Sequence, residues 1–140
     1  MDKDLFINAV KELGLPEEDY VIIGSGILCA LSIRQADDID IVVSERIFNS
    51  LSQSDDWNRN SFDDGTFVLV KGVYEIGADR KLEGAKPTLE ELKEDQTLVH
   101  GVPFISIKRI MGLKLERGWA KDLVDVELIQ AYLHSETSLQ

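Results

Sequence analysis

A single cysteine, two histidines and three prolines in 140 residues remove several chemistries at once. One thiol cannot close an intrachain disulfide or build a cysteine-based zinc cluster. Cys29 lies in an apolar run, where it reads as a small buried hydrophobe. His100 and His134 are far apart with no ligand-type spacing. The first falls in an expected hairpin turn and the second in an expected fraying tail, so surface roles suit both better than catalysis. No Ser/His/Asp order with a recognisable elbow is present, which leaves nucleophilic hydrolysis without support. No apolar run approaches the roughly 20 residues that a bilayer-spanning helix needs. Positive charge is also scarce: 15 Lys and Arg against 26 Asp and Glu give a formal net charge of −11. A surface that coats nucleic acid needs the reverse, so a long nucleic acid is not an expected partner, although a small basic site on an acidic body is compatible with the count.

The composition is otherwise that of a globular protein, 44% hydrophobic and 29% charged. The opening stretch, "MDKDLFINAVKELG", is acidic and amphipathic, unlike a signal or transit peptide. The expectation is one soluble, cytoplasmic domain over residues 1–140, with no membrane contact.

Leu5, Phe6, Ala9, Val10 and Leu13 recur at helical spacing until Gly14 and Pro16 stop them. "YVIIG" is short, apolar and β-branched, and predicts a buried strand. "SGILCALSI" predicts a buried helix with Ser25 as a candidate N-cap, and "DIDIVV" the next strand. "SERIFNSLSQS" follows as a short helix with Ile47, Phe48 and Leu51 inward, and "DDWNRNSFDDG" as a polar, turn-rich stretch. "TFVLVKG" and "VYEIGA" predict a hairpin turning at Lys71-Gly72. Pro87-Thr88 opens a short acidic helix, "TLVHGVPFIS" a small hairpin turning at Gly101, and the remainder a helical tail broken at Gly118. The last five or six residues are expected to fray. The class is α/β or α+β, a small mixed sheet flanked by helices.

Two carboxylates interrupt this pattern. Asp38 and Asp40 sit one residue apart at the head of an otherwise apolar strand, so they share a face opposite Ile39 and Ile41. Either that strand end is exposed and the pair is merely solvated, or the pair does chemistry. Same-face carboxylates repel, and a divalent cation removes the repulsion. Mg²⁺ is usually held by one or two carboxylates plus substrate phosphates, and two such ions can serve a phosphoryl displacement. Upstream, Gly24-Ser25-Gly26 forms a strand–glycine–helix junction that lets backbone N–H groups approach a phosphate, although glycine also punctuates many ordinary turns. Only the twelve residues Gly26 to Asp37 separate Ser25 from Asp38, enough for one helix and a return to the same sheet end. Arg34, just before the acidic strand, is placed at that mouth.

"GSGILCALSIRQADDIDIVV" resembles the signature of the nucleotidyltransferase superfamily, whose fold is shared with DNA polymerase beta, and in particular the bacterial minimal, abortive-infection-type members. "KLERGWAKDLVDVELI" is similar to the last helices of that group, so the resemblance runs from about Val21 to Leu133. It implies that Gly24 and Ser25 contact a nucleoside triphosphate, ATP standing for the class, and that Asp38 and Asp40 hold Mg²⁺. Members usually add a third carboxylate from a later strand. Glu75 is the candidate here, a Glu where Asp is common, and it is preferred over Asp79, which lies too far past the strand. The implied reaction moves a nucleoside monophosphate onto a hydroxyl of a small molecule or protein, with Glu75 or Asp40 accepting the proton.

Lys114, Arg117 and Lys121 share one face if their helix is continuous. The resemblance assigns Lys114 to the nucleotide phosphates, with Arg117 and Arg34 as further candidates, while a solvated helix face explains Lys114 and Arg117 equally well. Asp122 and Asp125 read as structural, pairing with neighbouring cations or capping the last helix. Trp57 and Trp119 are packing residues by default. A second reading comes from another class: a nucleotide-binding or interaction module without turnover, such as one half of a toxin–antitoxin pair. Many nucleotidyltransferases bring a second domain for the acceptor, and here a second copy or a helical partner protein is expected to supply it.

Overall fold

The computed structural model describes residues 1–78 and 88–138. Pro87 and Asp79 lie outside them. The elements run α1 (Lys3–Glu12), β1 (Tyr20–Ile23), α2 (Gly26–Ala30), β2 (Ile39–Val43), α3 (Glu45–Ser52), β3 (Asn58–Ser61), β4 (Phe67–Lys71) and β5 (Tyr74–Ala78). They continue with α4 (Leu89–Glu94), β6 (Thr97–Val99), β7 (Val102–Phe104), α5 (Ile107–Arg117) and α6 (Ala120–Ser138). Among the described residues, no helix is long and apolar enough to cross a membrane.

Among the described residues, seven strands join one mixed sheet in the order β3-β4-β5-β2-β1-β7-β6. The core strands β1 and β2 are antiparallel, with Ile23 opposite Asp40, whereas β2 and β5 are parallel, with Asp40 opposite Glu75. Ile22, Ile39, Ile41, Leu69, Ile76 and Phe104 are fully buried from these strands. Phe6 of α1 and Ile27 and Leu28 of α2 close over them. Such burial is worth about 1.5–3 kcal/mol for each large apolar side chain. It makes the sheet a rigid base for whatever projects from its ends.

Helix ends follow local chemistry. Asp2, Ser44, Thr88 and Ser106 each accept a hydrogen bond from a backbone N–H three residues on, capping α1, α3, α4 and α5. Gly118, at φ +66°, ends α5 in the left-handed conformation that glycine adopts without strain.

Several expectations are corrected. The sheet is larger than anticipated because the polar stretch 55–65 contains β3, an edge strand whose four residues are all exposed and therefore carry no apolar alternation. The helix after Gly24 is a single turn: the chain leaves it at Ser32, whose φ is +59°. Ser25 occupies the N-cap but its side chain makes no capping hydrogen bond. On α1 it is Phe6, Ile7 and Val10 that are buried, while Leu5 is 60% exposed. The expected fraying tail is helical to Ser138, so His134 lies within α6.

Candidate active site

The antiparallel return from β1 to β2 decides the geometry. Ile23 is the last residue of β1 and faces Asp40 near the start of β2, so Gly24 emerges directly beside that carboxylate. Gly24 has φ +66°, and a Cβ there would lie 2.9 Å from Asp40 Oδ2. A side chain is excluded twice, by backbone conformation and by Asp40. Gly26 has a different reason: its Cβ would meet Ile22 and Phe6, each at 2.7 Å, where α2 seats on β1 and α1. Of the Gly-Ser-Gly triplet, Gly24 belongs to the site and Gly26 to the core.

Asp40 is held in a state that an isolated carboxylate avoids. Its Oδ1 is buried and, among the described residues, has no hydrogen-bond partner. Burial, then the hydrogen bond shared with Glu75, then the charges of Asp38 and Glu75 push its carboxyl up to about 7. Asp38 stands one residue before β2 and is exposed. Asp40 and Glu75 are thus brought together by strand register, with Asp38 near enough to repel Asp40. Among the described residues, no three His, Cys, Asp or Glu side chains are already gathered at metal-binding distances. The pair nevertheless fits a divalent cation: an orphaned buried oxygen and adjoining carboxylates lack positive charge, and hard oxygen donors suit Mg²⁺.

A cavity of about 1090 Å³ opens on this sheet end. Gly24, Ser25, Arg34, Asp38 and Asp40 line one side, and Lys114, Arg117, Lys121, Asp122 and Asp125 line it from α5 and α6. Glu75 is not among the lining residues and reaches the site through Asp40. The helix break at Gly118 means that Lys114, Arg117 and Lys121 do not share one helix face, yet all three reach the same cavity because α5 and α6 pack against each other.

The cations are tied into a ladder. Arg34 donates from Nε and Nη2 to both oxygens of Asp125, at 2.7 and 2.9 Å. Lys114 Nζ lies 2.8 Å from Asp125 and 3.7 Å from Asp122. Arg117 grips Asp122 with two N–H donors at 2.7 and 2.6 Å, and Asp122 also accepts from the Trp119 backbone N–H at 3.2 Å. The Arg117 guanidinium holds the Asp122 carboxyl down at about 2. The hydrogen bonds from Arg34 and Lys114 outweigh burial and keep Asp125 below its ordinary range as well. The structural role read for Asp122 and Asp125 matches this geometry; the depth of the ladder, and its position on a cavity wall, were not legible. The available signal was the i, i+3 spacing of the two acids, which puts them on one helix face.

No protein-family model matches the chain, and no curated protein matches it. Among solved structures it is similar to ANT(2")-Ia, crystallised in complex with adenylyl-2"-tobramycin. That similarity has a TM-score of 0.51 at 18% identity and covers 94% of this chain and 87% of that one. ANT(2")-Ia is an aminoglycoside nucleotidyltransferase of the polymerase beta-like superfamily. The mixed sheet, its flanking helices and the C-terminal helix of the present chain therefore share the fold of ANT(2")-Ia.

Proposed function

We propose that the protein is a Mg²⁺-dependent nucleotidyltransferase that moves a nucleoside monophosphate from a nucleoside triphosphate to a hydroxyl acceptor. One observation carries the reading: on a nucleotidyltransferase fold, uncompensated carboxylates beside a glycine turn face a cluster of cations across a single cavity. Such a bipolar cavity suits a metal–triphosphate, which presents positive charge to one wall and negative charge to the other.

Asp38, Asp40 and Glu75 would hold the metal, which when bound neutralises phosphate charge and polarises the reacting phosphoryl group. Gly24 lets the chain pass close to the phosphates, and the Ser25 hydroxyl, unused in capping, adds a donor there. Arg34, Lys114 and Arg117 meet the phosphate oxygens. The acceptor oxygen attacks the α-phosphorus, the bond from that phosphorus to the β-phosphate oxygen breaks, and pyrophosphate leaves. Glu75 or Asp40 takes the hydroxyl proton. Most of the acceleration then comes from positioning and preorganised charge.

The cavity volume, about 1090 Å³, lies just above the usual range for small-molecule sites, about 300–1,000 Å³. This favours an acceptor of modest size bound beside the nucleotide. ANT(2")-Ia, with its adenylylated tobramycin, supplies a precedent of that kind. The alternative, a nucleotide-binding module that engages a partner protein without turnover, draws on Leu115, Leu123 and Val124, which are 52%, 47% and 57% exposed on the last two helices.

The test is thermal stability with each nucleoside triphosphate, with and without Mg²⁺, on the wild type and on the double variant Asp38→Asn/Asp40→Asn. A ligand at 100 times its dissociation constant stabilises by about 2.7 kcal/mol. A Mg²⁺-dependent rise for one nucleotide, lost in the double variant, is expected, and pyrophosphate release in acceptor screens with that donor follows. Binding without release in any screen favours the silent module. Absence of any rise in a folded protein rejects the nucleotide site.

A further inference from the structure

The cations that face the cavity are not independent. Arg34 precedes β2 and Lys114 belongs to α5, and one buried carboxylate, that of Asp125, joins them. We infer that Asp125 is a positioning residue for triphosphate recognition: it holds Arg34 and Lys114 in fixed relation so that both present donors to the same phosphate chain. The inference rests on the nucleotide reading above.

Three observations support it. Arg34, Lys114 and Asp125 all line the cavity. Arg34 commits three N–H donors, two to Asp125 and one to the Gln35 carbonyl, which leaves two of its five for a ligand. The ladder is also unbalanced: three cations, Arg34, Lys114 and Arg117, face two anions, Asp122 and Asp125, leaving a surplus of one positive charge within the ladder itself, with Lys121, Glu116 and Asp37 lining the cavity beside it. A ladder built only for stability gains nothing from that surplus, and buried ion pairs are often matched or surpassed by apolar packing. A wall that must receive an anion needs it.

Asp125 also fixes distance. The two cations come from segments about 80 positions apart in sequence, and both would otherwise be long, mobile side chains. With a shared carboxylate between them, ordering is completed on folding instead of on binding, the condition under which charge-assisted contacts give most affinity.

The experiment uses the full chain, with Mg²⁺–tripolyphosphate as a base-independent probe and Mg²⁺–nucleoside monophosphate as a comparison, read by calorimetry. Asp125→Asn is expected to weaken tripolyphosphate on the order of tenfold while monophosphate binding changes much less. Asp125→Glu is expected to recover part of the loss. Asp95→Asn, which removes a half-exposed ion pair with Arg109 on another surface, is expected to leave both affinities unchanged. A folded Asp125→Asn with wild-type tripolyphosphate affinity overturns the inference, as does equal weakening of both probes, the mark of a purely structural role. If neither tripolyphosphate nor any nucleotide binds the wild type, the nucleotide reading itself fails, and the inference with it. A second measurement needs no variant. NMR titration of the wild type should shift the Arg34 Nε–H and Lys114 Nζ signals with one dissociation constant, and a response from only one of them overturns the shared-carboxylate arrangement.

Discussion

Two groups of acids face each other across one cavity and are treated oppositely by the fold. On the helical wall, Asp122 and Asp125 are buried yet fully supplied, each gripped by two cations and held below the ordinary carboxylate range. On the sheet wall, Asp40 has an orphaned oxygen and is pushed up first by burial, then by the hydrogen bond it shares with Glu75 and by the acids around it. An acid whose partners come with the fold is part of the scaffold. One left uncompensated against its neighbours costs stability, and strain of that kind persists where a ligand relieves it. The difference separates carboxylates that hold the site together from those available to a metal.

Removing one charge from each wall should therefore give opposite signs. Lys114→Met leaves Asp122 and Asp125 with one cation each inside a buried ladder, and the expected loss is about 3 kcal/mol in urea unfolding. Asp40→Asn removes a like charge beside Glu75 and is expected to raise metal-free stability by about 1 kcal/mol, while abolishing stabilisation by Mg²⁺–nucleotide. If both variants lose stability to a similar degree, the two walls are not different in kind.

Gly24→Ala tests how tightly the sheet wall is built. The left-handed backbone costs about 1–2 kcal/mol for a non-glycine residue, and the new Cβ must displace Asp40 Oδ2 from 2.9 Å. Stability should fall by about that amount, and Mg²⁺–nucleotide binding should weaken further than the stability loss explains. Gly65→Ala supplies the comparison: it has φ +84° with nothing near its absent Cβ, so it should show the backbone cost alone.

Acid titration sharpens the comparison from the helical wall. Asp122 is held at about 2, against an ordinary value of 3.8. A depressed carboxylate contributes stability that is complete above its unfolded-state value and is lost as the pH falls through its folded value. The stability difference between the wild type and Asp122→Asn should thus be constant above about pH 4 and shrink towards pH 2, as read from urea midpoints across that window. A difference that persists unchanged at pH 2 would place the worth of Asp122 in packing and not in its charge.

What the sequence disclosed follows the range of the interactions. Gly24, Asp38 and Asp40 lie within one strand–helix–strand unit, so spacing alone brings them to one sheet end. The hairpin of β4 and β5 is similarly local, and it carries Glu75 because β5 happens to lie beside β2. Strand β3 was hidden because an exposed edge needs no apolar residues: Asn58, Arg59, Asn60 and Ser61 are ordered by the backbone ladder to β4. Arg34 was placed at the mouth of the site by position, but its partner lies 91 residues away, and only the packing of α6 against α5 reveals it. Long-range charge pairing leaves almost no trace in local pattern.

The smallest effect expected on stability lies at Ser25, and it discriminates most finely between scaffold and site. A serine at an N-cap normally earns its place by accepting a backbone N–H, and replacing it by alanine costs about 1 kcal/mol. Ser25 makes no such bond, so Ser25→Ala should change the unfolding free energy by less than about 0.5 kcal/mol. Affinity for Mg²⁺–nucleotide should nevertheless fall several-fold if the hydroxyl faces the phosphates from the cavity wall that it lines. A full capping cost with unchanged affinity would return Ser25 to the scaffold and leave Gly24 as the sole contribution of this turn to the site.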